Sequence, residues 1–167
     1  MKKIRNVTFI VLVCLSLGFL GFIYLSNPIV INGTSIYKDA NGNDEIVFDV
    51  NNEGINKLRI KEVLINNQPN NQLIDLGISY DTLQIVQSNT DNELIKFYAL
   101  DEKSVLPQKT SDEVAAALTQ KEMTPLHYGI RVNNFKEPIE SITIKYKYFG
   151  LSVSKEIKVH HLIPSDY

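Results

Sequence analysis

An uncharged run, VTFIVLVCLSLGFLGFIYL, extends from Val7 to Leu25 behind a basic start at Lys2, Lys3 and Arg5. As a helix rising about 1.5 Å per residue, it matches the roughly 30 Å hydrocarbon core of a bilayer. Its few polar side chains, Thr8 and Ser16, can bond back to the preceding turn. Asn27-Pro28 stops the helix, and Tyr24 suits the interface at its end. No basic residue follows until Lys38, so the charge bias places the N-terminus in the cytoplasm. A cleaved signal peptide would have a shorter apolar core and a small-x-small site after it. Ser16-Leu17-Gly18 has that pattern but lies inside the run, and Val13 before Cys14 does not fit a lipoprotein. The pattern therefore predicts an uncleaved anchor: residues 1–6 as a cytoplasmic tail, 7–25 as a transmembrane helix and 26–167 as an extracytoplasmic domain.

From Pro28 onward the texture changes to short apolar alternations punctuated by Asn, Gly, Asp and Pro, the pattern of an all-β domain. Ile29 to Tyr37 reads as a first strand, and Asp39 to Asp44 as a turn. In Glu45 to Asn51, Ile46, Phe48 and Val50 share one face while Val47, Asp49 and Asn51 share the other, so one buried face is expected. Leu58 to Ile65 switches apolar parity after Ile60, which predicts a bulge near Glu62. Asn66 to Gln72 is a polar loop. Leu73 to Ser88 reads as two short strands broken near Gly77 to Asp81, and Leu94 to Ala99 as another.

Thr110-Ser111-Asp112-Glu113 is a capping box before VAAAL, predicting one short helix over about Ser111 to Gln120, placed on a sandwich end or edge. The last forty residues alternate most regularly. Tyr128, Ile130 and Val132 form one stripe; Ile142, Ile144, Tyr146 and Tyr148 form a second. After a turn at Gly150, Leu151, Val153, Ile157 and Val159 form a third. Seven to nine short strands predict two half-buried sheets covering each other in a β-sandwich. Tyr128-Gly129-Ile130 resembles the Tyr-x-Cys of an immunoglobulin F strand, with Ile130 in the cysteine position. That resemblance covers a few residues and implies an immunoglobulin-like topology without naming a family; the chain has no cysteine pair and no Trp.

The 167 residues carry a formal net charge of -2 and are 44% hydrophobic, too balanced for a nucleic-acid partner and too apolar for disorder. Those averages merge two phases. Removing Lys2, Lys3 and Arg5 from the 17 basic residues leaves 14 against 19 acidic ones, so the outward domain stands at -5. One cysteine permits no internal disulfide. Lysine outnumbers arginine 14 to 3 and there are 16 Asn, a usage of AT-rich bacterial genomes, so a bacterial envelope is the expected setting.

Candidate chemistry is sparse. Asp39, Asn41 and Asn43 have the one-three-five spacing that opens a calcium loop, with Asp44 beside them. Asp44 replaces the turn glycine and Val50 the bidentate Glu, so these four are calcium candidates and a plain turn is the simpler reading. His160 and His161 point to opposite faces of a strand and cannot readily share an ion. His127 has no GxSxG, HExxH or phosphate-cradling glycine loop to serve, and no catalytic residue or cofactor is expected. Lys145, Lys147, Lys155 and Lys158 make the last hairpin basic, either to meet an anionic polymer or lipid headgroups or to protect an edge. Phe135 and Phe149 are candidate partner contacts. The expected partners are the bilayer, through residues 7–25, and another envelope protein. The expected function is a non-enzymatic binding or assembly module; the alternative is an extracytoplasmic ligand or calcium sensor.

Overall fold

The computed structural model describes residues 2–38, 44–69, 74–134, 138–159 and 162, with side chains from residue 6 onward. The apolar run forms α1 (Lys2–Leu25). Among the described residues nine strands follow: β1 (Ile29–Lys38), β2 (Asp44–Asn52), β3 (Leu58–Ile65), β4 (Gln68–Pro69), β5 (Ile74–Tyr80), β6 (Ile95–Tyr98), β7 (Pro125–Asn133), β8 (Ser141–Tyr148) and β9 (Leu151–Lys158). A second helix, α2 (Ser111–Gln120), precedes β7. The strands make two antiparallel sheets, one in the order β1-β2-β7-β5-β6 and the other β4-β3-β8-β9.

Alternation decides which side chains meet between the sheets. Phe48, Leu76 and Ile130 from the first and Ile60, Ile144 and Tyr146 from the second belong to one buried cluster. The bulge falls where the parity switch puts it, between Ile60 and Glu62. A second strand irregularity sits in β1 between Ile31 and Gly33.

The outer face of the five-stranded sheet departs from the one-sided pattern. Val47 is buried as thoroughly as Phe48, because Val86 lies over that face and forms a second small cluster there with Val47 and with Ile95 and Phe97 of β6. This cover also explains Gly77. Rather than breaking a strand, Gly77 lies mid-way along β5 and pairs with Gly129, and residues 81–94 contain no strand. A Cβ at Gly129 would stand 2.7 Å from Val47 Cγ1 and 2.9 Å from Val86 Cβ. Gly129→Ala is therefore expected to destabilise by about 1–3 kcal/mol through overpacking. A melting temperature equal to wild type would show that Val86 does not press on this face.

The helix α2 begins as its sequence signals. The Thr110 side chain accepts from the Glu113 N–H, while Glu113 Oε2 accepts from the Thr110 N–H at 2.8 Å. It closes at Lys121 in the left-handed region, whose N–H reaches the Ala117 carbonyl. Only Ala117 is buried. Asp81, just past the end of β5, accepts from the Met123 and Thr124 N–H groups at 2.7 and 2.8 Å, tying the link between α2 and β7 to the end of β5.

Candidate functional site

Of the calcium candidates, Asp39, Asn41 and Asn43 lie outside the described residues. Asp44 opens β2 opposite Lys38, and its carbonyl accepts from the Asn134 N–H at 2.7 Å. Among the described residues, no group of three or more His, Cys, Asp or Glu side chains could hold a metal ion. His160, His161 and Phe135 also fall outside the described residues.

His127 has neighbours that the sequence alone did not supply. On the outer face of the five-stranded sheet it stands opposite Ser79 of β5, with Asp49 of β2 close enough to act on it electrostatically. The sheet thus gathers a Ser, a His and an Asp. Ser79, however, is fully buried and its hydroxyl donates to the Gln84 carbonyl at 2.5 Å, so its proton is committed and its oxygen inaccessible. Among the described residues, the buried His127 Nε2 has no hydrogen-bond partner. Burial depresses the His127 pKa and raises that of Asp49, each effect partly offset by the other group's charge.

These shifts predict a pH dependence. The unfolded chain protonates His127 near the ordinary value of 6.5, while the folded chain resists until lower pH. Below that value the unfolded state binds more protons, so stability falls as pH falls. Asp49 works in the opposite sense: its raised pKa lets the folded state hold a proton longer, restoring stability only nearer the carboxylate range. His127→Gln is expected to flatten the decline in melting temperature between about pH 7.5 and pH 5.5. A decline as steep as in wild type would contradict this.

The basic hairpin does not form one charged face. Lys145 pairs with Glu62 at 2.7 Å. Lys155 folds inward, where its Nζ donates to the Ile29 carbonyl at 2.7 Å, and burial lowers its pKa against the opposing influence of Glu53. Lys147 instead stands directly opposite Arg59 of β3.

That pair belongs to the end of the domain where α1 arrives. Only three residues separate α1 from β1, and Asn27 adopts a left-handed φ of 37° just past the helix. Ile23 is fully buried in the main core, whereas Leu15, Leu17 and Leu25 are 65%, 62% and 82% exposed. Higher up the helix, the Phe19 ring meets Phe149 edge-on, with centroids 5.6 Å apart, and Phe149 packs in turn on Tyr148 at 4.8 Å. Phe149 and Gly150, both at positive φ, form the two-residue turn joining β8 to β9. The loop between β2 and β3 is anchored beside them. Asn52, buried, donates to the Asn56 and Val105 carbonyls and accepts from the Gly54 N–H, while the Ile55 N–H donates to Tyr148 Oη. This leaves the Ile55 side chain 76% exposed. Between loop and hairpin lies a cavity of about 280 Å³ bordered by Lys57, Arg59, Lys147, Ser104 and Phe149.

No family model, curated protein or solved structure matches the chain.

The arrangement at this end consists of an aromatic tip against an apolar helix, with three cations around the adjoining cavity. Chemically it can hold an anion beside an apolar surface. Sequence reasoning marked Lys147 and Phe149 but missed Lys57, Arg59 and Ile55. The signal for Arg59 was indirect: the bulge before Glu62 sets the register that brings it opposite Lys147. At the opposite end, a cavity of about 450 Å³ is bordered by Asn66, Asn67, Glu140, Glu156 and Lys158, a mixed-charge lining.

Proposed function

We propose that the chain is a single-pass protein of the bacterial cell membrane, its N-terminus cytoplasmic, whose extracytoplasmic β-sandwich is a non-enzymatic binding or assembly module for another envelope protein. Its α1 contains a 20-residue span, Asn6–Leu25, long and apolar enough to cross a membrane. The positive-inside bias supports the orientation. The observation that carries the reading is the docking of α1: one side chain near its end, Ile23, is buried in the core, while the other large apolar side chains described between Val7 and Leu25 are exposed. Such an anchor fixes the pose of the domain against the bilayer instead of trailing it on a leash. The mixed-charge cavity at the far end then faces away from the membrane, where another protein can meet it. The burial of Ser79 supports a non-enzymatic role.

Strand order supports an immunoglobulin-like arrangement. The order β1-β2-β7-β5 follows A-B-E-D, and β4-β3-β8-β9 follows C′-C-F-G, with β6 and α2 inserted between D and E. Under that correspondence Tyr128-Gly129-Ile130 occupies the E strand, and β8 takes the F position that the Tyr-x-Cys resemblance suggested for it.

Crosslinking of the full-length protein in membranes, followed by affinity capture, tests the module; one recurrent envelope protein is expected, and recovery of none counts against it. A reporter fused after Tyr167 should be active outside the cell, and activity only in the cytoplasm would overturn the orientation.

A further inference from the structure

We propose that the cavity beneath the β8–β9 hairpin binds the phosphate of an anionic phospholipid headgroup in the leaflet that α1 enters. The proposal rests on the reading of α1 as a membrane span.

Charge compensation on this sheet stops at the cavity. Lys145 has Glu62 at 2.7 Å, and Lys61 has Asp101 at 2.9 Å. Arg59 and Lys147 stand opposite each other with no salt bridge among the described residues, and Lys57 has none either. Asp101 acts on Arg59 through space, but its carboxylate is committed to Lys61. No acidic side chain borders the cavity among the described residues. Like charges directly opposite on neighbouring strands destabilise a sheet, and an anion between them removes that cost. A guanidinium fork recognises phosphate oxygens in a bidentate manner, lysines add point charges, and the Ser104 hydroxyl supplies a neutral donor.

Position selects a lipid over a free anion. Phe149 borders the cavity and touches Phe19, six residues before the end of α1, a depth of about 9 Å along the helix axis. Amphipathic surfaces settle about 5–10 Å into the boundary between headgroups and acyl chains. The hairpin tip therefore lies at that boundary, with the exposed Ile55 as a second apolar contact. A lipid whose acyl chains lie along Phe149 and Ile55 presents its phosphate to Lys57, Arg59 and Lys147.

The test is native mass spectrometry of the full-length protein, extracted from membranes and equilibrated with an equimolar mixture of phosphatidylglycerol and phosphatidylcholine. Wild type should retain phosphatidylglycerol preferentially. Arg59→Gln with Lys147→Gln should weaken that retention by about fivefold for each charge removed. The melting temperature of this double variant without lipid should equal or exceed that of wild type, since the opposed charges are gone. Should it melt earlier, Lys57→Gln, in an exposed loop, carries the same expectation of about fivefold. Lys145→Gln should retain lipid as wild type does. Equal retention of both lipids by wild type, or undiminished retention by the cavity variants, would overturn the proposal. Inorganic phosphate should not raise the melting temperature at concentrations where phosphatidylglycerol does; equal stabilisation would make this a free-phosphate site and overturn the lipid assignment. A chain absent from the membrane fraction would remove the anchor itself, whereas a membrane-inserted chain without headgroup preference would remove only this site.

Discussion

Phe48→Ala is expected to lower the melting temperature of the β domain by about 10–20 °C. Phe48 is fully buried, faces the second sheet from β2 and pairs with Thr34 and Ile130 on the adjoining strands. Truncating such a ring removes its transfer free energy and leaves a cavity, a loss of about 3–5 kcal/mol. Domains of this size have a total stability of about 5–15 kcal/mol, and each kcal/mol moves the midpoint by several degrees. Phe48→Leu should cost far less, because it keeps most of the volume. A drop below about 2 °C for the alanine variant would mean that Phe48 does not lie between two packed sheets.

Leu12→Arg combined with Leu15→Arg should abolish membrane integration. Both side chains are exposed, at 57% and 65%, near the middle of α1, and neither belongs to the buried core cluster of the β domain. Each arginine at a span centre costs about 2.5–3.5 kcal/mol, so the pair opposes insertion by about 5–7 kcal/mol before the loss of two leucines is added. Alanine at both positions keeps the segment apolar and should leave the protein in the membrane fraction. Alkaline carbonate extraction separates the outcomes: the arginine pair should appear in the soluble fraction or be degraded. Unaltered membrane retention of the arginine pair would contradict a bilayer-spanning α1.

Much of the fold was legible because its signals are local. The capping box at Thr110 and Glu113 needs only four residues to define α2. The parity switch in β3 places its bulge, and the alternations at Ile46-Phe48-Val50 and Ile142-Ile144-Tyr146 name the core faces. The misreadings share a different cause. Val47 and Gly77 look like a solvent-facing valine and a strand breaker because the segment that covers them, residues 81–94, has no periodicity of its own. Val86 reaches them from within that irregular stretch, a contact specified by tertiary packing alone.

The site beside the β8–β9 hairpin was legible only in fragments. Phe149 and Lys147 stand out beside a turn, but Arg59 and Ile55 lie about ninety residues earlier. What joins them is the β3–β8 register and the Ile55–Tyr148 hydrogen bond, neither of which a linear pattern contains. The seating of α1 was hidden for the same reason. Nothing distinguishes Phe19 or Ile23 from other apolar residues of the run until the hairpin tip and the core are placed beside them.

The proposed seating of the β domain on the membrane through its hairpin tip has a direct optical test because the chain contains no Trp. Phe149→Trp places the chain's single tryptophan at the tip, and Tyr37→Trp places it instead at the far end of β1, where Tyr37 is 39% exposed. In full-length protein reconstituted into vesicles with brominated acyl chains, the tip fluorophore should emit to the blue and be strongly quenched by the lipid. The fluorophore at position 37 should respond only to aqueous quenchers. Equal insensitivity of both positions to the brominated lipid would show that the hairpin stands clear of the bilayer, and the account of this end of the protein would fall.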